Sequence, residues 1–322
     1  MSLSVNEPTL APGAARGRVA DHAFRLLTLL AGLMILVILG LIAVSAVHSA
    51  WPAFRKAGLG FITSREWVPN EGKFGALSFI YGTVVVATTA VVISVPVSVG
   101  IALFVTEVAP TRLRGFVTAV MDLLAGVPSV VFGLWGILVL APNISGFYDR
   151  VSRFVNPIPV LTTLFNGTQT GRSFFTAGLI LAVMITPIIS SVTREVFATV
   201  PRNEKDGALA LGATRWEMLK GVVFPHSIGG MVGATMLGLG RAMGETIAVA
   251  LVIGSTPQIV ANLFAGGDAM PAVIANQFGE ASGDHRAALI GLGVALFALT
   301  ILVNASARVV VRRVESRLQG LA

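Results

Sequence analysis

Long apolar runs separated by polar intervals dominate the chain from residue 26 to residue 307. Six of them, approximately 26–48, 78–105, 117–140, 176–193, 230–253 and 287–307, reach the roughly 20 residues a helix needs to cross a bilayer. In lipid every backbone polar group must be satisfied internally, so these runs predict helices: an all-α, polytopic integral membrane protein with six transmembrane helices. Pro96 and Pro187 fall inside the second and fourth runs and predict kinks there, since a mid-helix proline removes a backbone hydrogen bond. Three intervals are long (49–77, 141–175 and 254–286) and mix aromatic with polar residues, which predicts short surface helices or turns rather than linkers.

Composition agrees with this pattern. Hydrophobic residues make up 54% of the 322, charged residues 12%, and the mean hydropathy is +0.82. A soluble domain carries about 25% charged residues, so a soluble fold is excluded. The net charge of +7 raises nucleic acid as a partner, but the basic residues are sorted by side. With the N-terminus inside, the inner segments hold 14 of the 23 Lys and Arg and the outer loops hold 8. That bias orients a membrane protein with both termini cytoplasmic, and no nucleic acid is expected. The first run, Leu26 to Val47, exceeds the 7–15 residues of a signal-peptide core and reads as an uncleaved span. Cysteine is absent, and the four histidines are scattered, so no metal or thiolate site is expected.

The inner interval 194–229 carries a finer pattern. Asn203 can cap a helix that Gly212 closes. Thr214 and Glu217 form a capping box for a second helix that Pro225 ends. Two short helices, about 204–211 and 215–223, would form a rigid knob, with Trp216, Leu219 and Val223 on one face of the second. By physics alone the knob is either a surface for a cytoplasmic partner or an internal structural turn.

Arg241 is the sharpest chemical feature. It lies 11 residues from one end of the fifth run and 12 from the other, where a charge costs at least about 2.5–3.5 kcal/mol. Glu245, four residues on, is expected on the same helical face. The pair is either a self-satisfied tie between helices or an oxyanion site, with the guanidinium fork as the anion's partner. In the second case a protonated phosphate could donate to Glu245 while sulfate could not, so Glu245→Gln is expected to relax rejection of sulfate. The glycine pairs Gly229/Gly233 and Gly240/Gly244 predict close helix packing, within the chain or with a second subunit. Asp122, near the inner end of the third run, reads as a helix-start or interfacial carboxylate.

Asp206-Gly207-Ala208, Gly212 and Val222-Val223-Phe224-Pro225 resemble, at matching spacing, the EAA loop of ABC-importer permeases (the MetI-like core). Asp, Gly and Phe replace the usual Glu, Ala and Leu. Three stretches resemble, more narrowly, the C-type permease subunits of phosphate-specific ABC importers. They are Gly126 to Gly136 (GVPSVVFGLWG), Val192 to Phe197 (VTREVF) and Gly238 to Val249 (GLGRAMGETIAV). The resemblance implies that Arg241 and Glu245 serve transport. It also implies that Asp206, Gly207, Ala208, Gly212, Trp216, Phe224 and Pro225 couple to an ATPase. Implied partners are a companion A-type permease, an ATPase dimer that uses the ATP, and an extracytoplasmic phosphate-binding protein. The chain lacks a Walker A sequence, so it should bind no cofactor and catalyse no covalent step. The expected organisation is a cytoplasmic tail (1–25, of which 1–20 is disordered), a first helix with its outer loop (26–74), a permease core (75–310) with the coupling loop 194–229, and a second tail (311–322). A bacterial inner-membrane phosphate permease follows. Importers of sulfate or molybdate, an ion-coupled transporter and a regulatory scaffold are the alternatives.

Overall fold

The structure is a computed structural model that describes residues 13–166 and 170–319. Two compact units divide at Ser49. The first holds most of helix α1 (Gly13–Ala57). Helix α1 begins inside the stretch expected to be a disordered tail, whose residues 1–12 lie outside the described residues.

Besides two short helices, Gly60–Thr63 and Pro159–Leu164, the second unit holds α2 (Leu77–Leu103), α3 (Thr111–Gly126), α4 (Ser129–Trp135), α5 (Ala141–Val155), α6 (Phe174–Ala198), α7 (Arg202–Ala210), α8 (Arg215–Met218), α9 (Phe224–Gly244), α10 (Ile247–Val252), α11 (Met270–Gln277) and α12 (Gly283–Gln319). Six helical stretches are long and apolar enough to span a membrane: Asp21–Ala57, Leu77–Val108, Ser129–Val155, Phe174–Ala198, Arg215–Gly244 and Gly283–Val309. The count agrees with the hydropathy pattern, but the bounds of the third and fifth spans do not. The third span begins twelve residues later than expected, because Pro128 stops α3 and starts a new helix. The segment expected as outer loop from 141 onward is therefore helix α5. The fifth span ends at Gly244 instead of running to 253. At the C-terminus, α12 continues through most of the stretch expected as a tail, and residues 320–322 lie outside the described residues.

Pro96 and Pro187 do not break α2 and α6, which continue through both. Wide π-turns at Phe104–Val108, Gly136–Leu140 and Leu219–Val223 each precede a proline by two residues: Pro110, Pro142 and Pro225. A turn whose N–H reaches back five residues re-spaces the hydrogen-bond ladder where the proline supplies no donor. This is why Pro225 does not end a helix, as the sequence suggested. The chain runs helically from Arg215 to Gly244.

The core lies between α2, α6 and α9. Val86, Ala87 and Ala90 of α2 meet Ile180, Ile185 and Ile189 of α6 and Ala234 and Met243 of α9. Small residues set the distance, since a Cβ on Gly178 of α6 would stand 2.6 Å from Thr89 of α2. Ser98 also donates to the Thr186 carbonyl at 3.1 Å, tying the two helices near their prolines. At the N-terminal end of α2, a two-stranded hairpin, β1 (Trp67–Val68) and β2 (Lys73–Phe74), turns through Gly72 at φ +66°. Trp67 packs edge-on against Phe74 and Phe79 and donates to Gln277 of α11 at 3.0 Å. This strand pair was not foreseen, because two-residue strands carry no period-2 signal.

Candidate functional site

At the other end of α2, helices α7 and α8 form the knob anticipated from the sequence. Gly212 closes the turn at φ +88°, a conformation that L side chains rarely adopt, with open space around it. Thr214 accepts from the Glu217 N–H, and the Glu217 carboxylate accepts from the Thr214 N–H at 2.8 Å, completing the capping box. Two expectations are corrected. Asn203 is not a cap: α7 begins at Arg202 behind Pro201, whose fixed φ already suits a helix start. Trp216, Leu219 and Val223 do not share one face. The wide turn at 219–223 rotates the helix, so Met218 and Val223 bury against Phe197, Val200 and Ala102, with Leu219 packed at their edge. Trp216 is left 63% exposed. Leu211, at the knob's tip, is 92% exposed and was not singled out.

Asp206 and Gly207 are exposed, and nothing stands within 4 Å of a Cβ built on Gly207. Ala208, Leu219 and Phe224 pack partly buried on the Phe197 cluster, with Pro225 beside them in the continuing helix. The residue before Asp206 ties the knob down: Lys205 Nζ lies 2.6 Å from Glu107 Oε1, with both side chains 16% exposed. Glu107 lies in the π-turn at the end of the second span, so this ion pair joins the knob to a spanning helix. Arg114 closes the same corner by donating to the Thr106 and Ala109 carbonyls. Arg194, at the end of α6, donates to Thr118 of α3 at 2.6 Å. Asp122 stands exposed on α3, facing a small hollow that Arg194 also lines, with no ion pair between them among the described residues. Lys205 and Glu107 were missed because their pairing across 98 residues leaves no local pattern.

Arg241 occupies the last turn of α9. A Cβ on Gly238, three residues earlier, would meet Ile189 at 2.6 Å and Ile185 at 3.7 Å, near the middle of α6. Arg241 is thus one turn beyond the midpoint of that spanning helix. Its expected partnership with Glu245 is not formed. Helix α9 ends at Gly244, Glu245 is extended (φ −70°, ψ 127°), and Glu245 Oε1 instead accepts from the Ala248 N–H at 3.4 Å, capping α10. Among the described residues no ion pair joins the two. The free N–H groups at the start of α10 need an acceptor, and the Glu245 carboxylate supplies one.

The exposed Arg241 opens onto a cleft of about 960 Å³ walled by Gly229, Val232, Gly233, Met236 and Gly240 of α9. Within the chain, glycines of α9 other than Gly233, Gly240 and Gly244 make the close helix contacts. Gly230 and Gly238 are the residues in close helix contact, against Val196 and Ile189, while Gly233 and Gly240 have open space. The register of α9 turns the Gly229/Gly233 face to the cleft instead of to α6.

A family model described as "binding-protein-dependent transport system inner membrane component" matches residues 94–316. The chain is 43% identical to the phosphate transport system permease protein PstC of Xylella fastidiosa strain 9a5c, covering 99% of each. It is 42% identical to PstC of Mesorhizobium japonicum (94% of this chain, 93% of that protein) and 39% identical to PstC of Haemophilus influenzae (92% and 94%). Two solved structures show the fold. A chain of a bacterial alginate ABC transporter, in complex with a pentasaccharide-bound periplasmic protein, has TM-score 0.57 at 16% identity, covering 92% of this chain and 98% of that one. A chain of the MetNI methionine ABC transporter in an inward-facing conformation has TM-score 0.53 at 17% identity, covering 73% and 94%. The family match, the relatives aligned almost end to end and the six spans lead to one conclusion: the chain belongs to the family of binding-protein-dependent transport system inner membrane components, the membrane-spanning permeases of ABC transporters.

Proposed function

We propose that the chain is the C-type permease subunit of an ATP-driven importer of inorganic phosphate. The observation that carries this reading is the guanidinium of Arg241, which stands without an ion-pair partner among the described residues on the wall of a cleft, within one turn of the middle of a spanning helix. An unpaired cation at that depth is costly unless an anion or water compensates it, and the planar fork suits a tetrahedral oxyanion. The relatives named as phosphate permeases select phosphate among such anions. Glu245, on the turn that follows, is the second proposed contact.

In this reading the α7–α8 knob is cytoplasmic and fits a cleft of an ATPase dimer. Asp206, Gly207, Ala208, Gly212, Trp216, Phe224 and Pro225 shape or present the knob. Closure of the dimer on ATP pushes the knob, and the Lys205–Glu107 pair passes that push to the second span. A companion A-type permease completes the pathway, and an extracytoplasmic binding protein delivers phosphate at the hairpin end. Both termini face the cytoplasm.

The test is uptake of labelled phosphate in cells lacking their own copy of this gene. They carry the wild-type chain or Arg241→Ala at matched membrane levels, and co-purification of the ATPase checks assembly. Uptake by wild type and at least about a tenfold loss in an assembled Arg241→Ala complex are expected. Equal uptake by both would reduce Arg241 to a structural residue. Sulfate or molybdate competing better than unlabelled phosphate would transfer the reading to another oxyanion.

A further inference from the structure

The cleft that Arg241 enters has a second cationic wall. Asn304 and Arg308 of α12 line it, opposite the glycine face of α9. They are four residues apart on one helix, so they present to the same side, and the cleft contains both. Neither side chain forms a hydrogen bond or ion pair among the described residues, and the same holds for Arg241. Two guanidinium groups, both inside stretches that qualify as spans, therefore share one cleft with no carboxylate among the residues that line it. The remaining lining is apolar, apart from Asn304 and the glycine backbones.

Their depths differ. Gly229, at one end of the cleft, neighbours Gly230, which packs on Val196 close to the knob end of α6. Arg241 is 12 residues farther along α9, a rise of about 18 Å. Helix α12 runs antiparallel to α9 in chain order, and Arg308 lies one residue before the end of its span, at Val309. The cleft thus carries one arginine near mid-bundle and another toward the knob. Conduction of an ion requires sites weak enough to leave and numerous enough to hand the ion on.

We propose that Arg308, assisted by Asn304, is a second oxyanion contact, at the exit end of the pathway that Arg241 begins. This rests on the reading of the cleft as an anion path. The donors are of the right kind: five N–H groups on the guanidinium and two on the amide. Arg308 receives the anion released by Arg241 and holds it at the cytoplasmic mouth, so its loss slows the maximal rate of transport.

The chain contains no cysteine, which permits a direct test in the assembled transporter. Arg308→Cys is expected to lower the maximal rate of labelled phosphate uptake about tenfold or more. Modification with a cationic aminoethyl thiosulfonate should restore uptake, whereas a neutral methyl reagent should not, and inorganic phosphate should slow labelling of the introduced thiol. The treated wild-type complex controls for cysteines in partner subunits. Wild-type uptake by Arg308→Cys, or equal restoration by the neutral reagent, would overturn the proposal while leaving Arg241→Ala to report on the pathway itself. Should Arg308→Cys fail to assemble, Arg308→Lys and Arg308→Gln replace it: uptake kept by Lys and lost by Gln supports an anion contact, and equal uptake by both removes it. If neither Arg241→Ala nor Arg308→Cys affects phosphate uptake, the anion reading of the whole cleft falls.

Discussion

Arg241 and Glu245 are close in sequence, yet one ends a helix and the other caps the next. Glu245→Gln keeps a carbonyl oxygen for the Ala248 N–H, so α10 should persist while the carboxylate is lost. The expected outcome is detectable sulfate uptake alongside phosphate uptake. An assembled variant that imports phosphate and still excludes sulfate would remove Glu245 from selection. A second residue-scale expectation concerns Asp268, which is only 4% exposed in the segment before α11. Burial pushes its carboxyl up from 3.8 to about 6, against one hydrogen bond from the Ala269 N–H. The folded-state value is raised, so the protonated form is favoured by folding. That stability is fully present below pH 3.8 and is lost as pH rises through about 6. Asp268→Asn keeps the acceptor for Ala269 and removes the charge. It should raise thermal stability in detergent at pH 7, by an amount on the order of 3 kcal/mol, with the gain shrinking as pH falls toward 5. A gain independent of pH would show that Asp268 is not the group responsible. Arg241 was legible in sequence because a charge in an apolar run stands out. Its geometry with Glu245 was not, because the helix break depends on which acceptor the next helix finds.

At the scale of elements, the knob is local and the strap that holds it is not. The capping box and the left-handed Gly212 are read from neighbours three or four residues apart, and both are present. The Lys205–Glu107 pair joins residues 98 positions apart. Charge reversal separates its pairing from its composition. Lys205→Glu and Glu107→Lys are each expected to lower melting temperature and phosphate uptake, and the double reversal to recover both, with a coupling energy of about 1 kcal/mol or more. Additive losses would show that the contact transmits nothing. Prolines that follow a π-turn fare differently: before Pro110 the helix ends at Val108, with Ala109 extended. Pro142 and Pro225 look like helix ends in sequence, but a preceding wide turn absorbs the missing donor and the helix continues. Pro128 has no such turn before it, and there the chain breaks.

For the whole molecule, the exposed tip of the knob should matter to assembly but not to folding. Leu211, 92% exposed, buries nothing within the chain, so Leu211→Asp should leave its membrane level unchanged. Loss of ATPase co-purification and of uptake is expected; an intact complex would place the ATPase contact elsewhere on the knob. The sequence by itself determined the membrane class, the six spans, the two-helix knob and the arginine within the fifth span. These follow from hydropathy, charge bias and capping, all of which act over a single turn or a single span. Only the tertiary structure decided where the third and fifth spans end, which glycines of α9 meet α6, that Arg241 and Glu245 part company, and that Arg308 shares a cleft with Arg241. The span ends and the parting of Arg241 from Glu245 depend on local backbone breaks, and the glycine contacts and the shared cleft on the rotation of one helix against another. A hydropathy pattern shows that a helix has an apolar face, but not which neighbour that face will find, because all sides of a spanning helix are apolar and lipid imposes no preference among them.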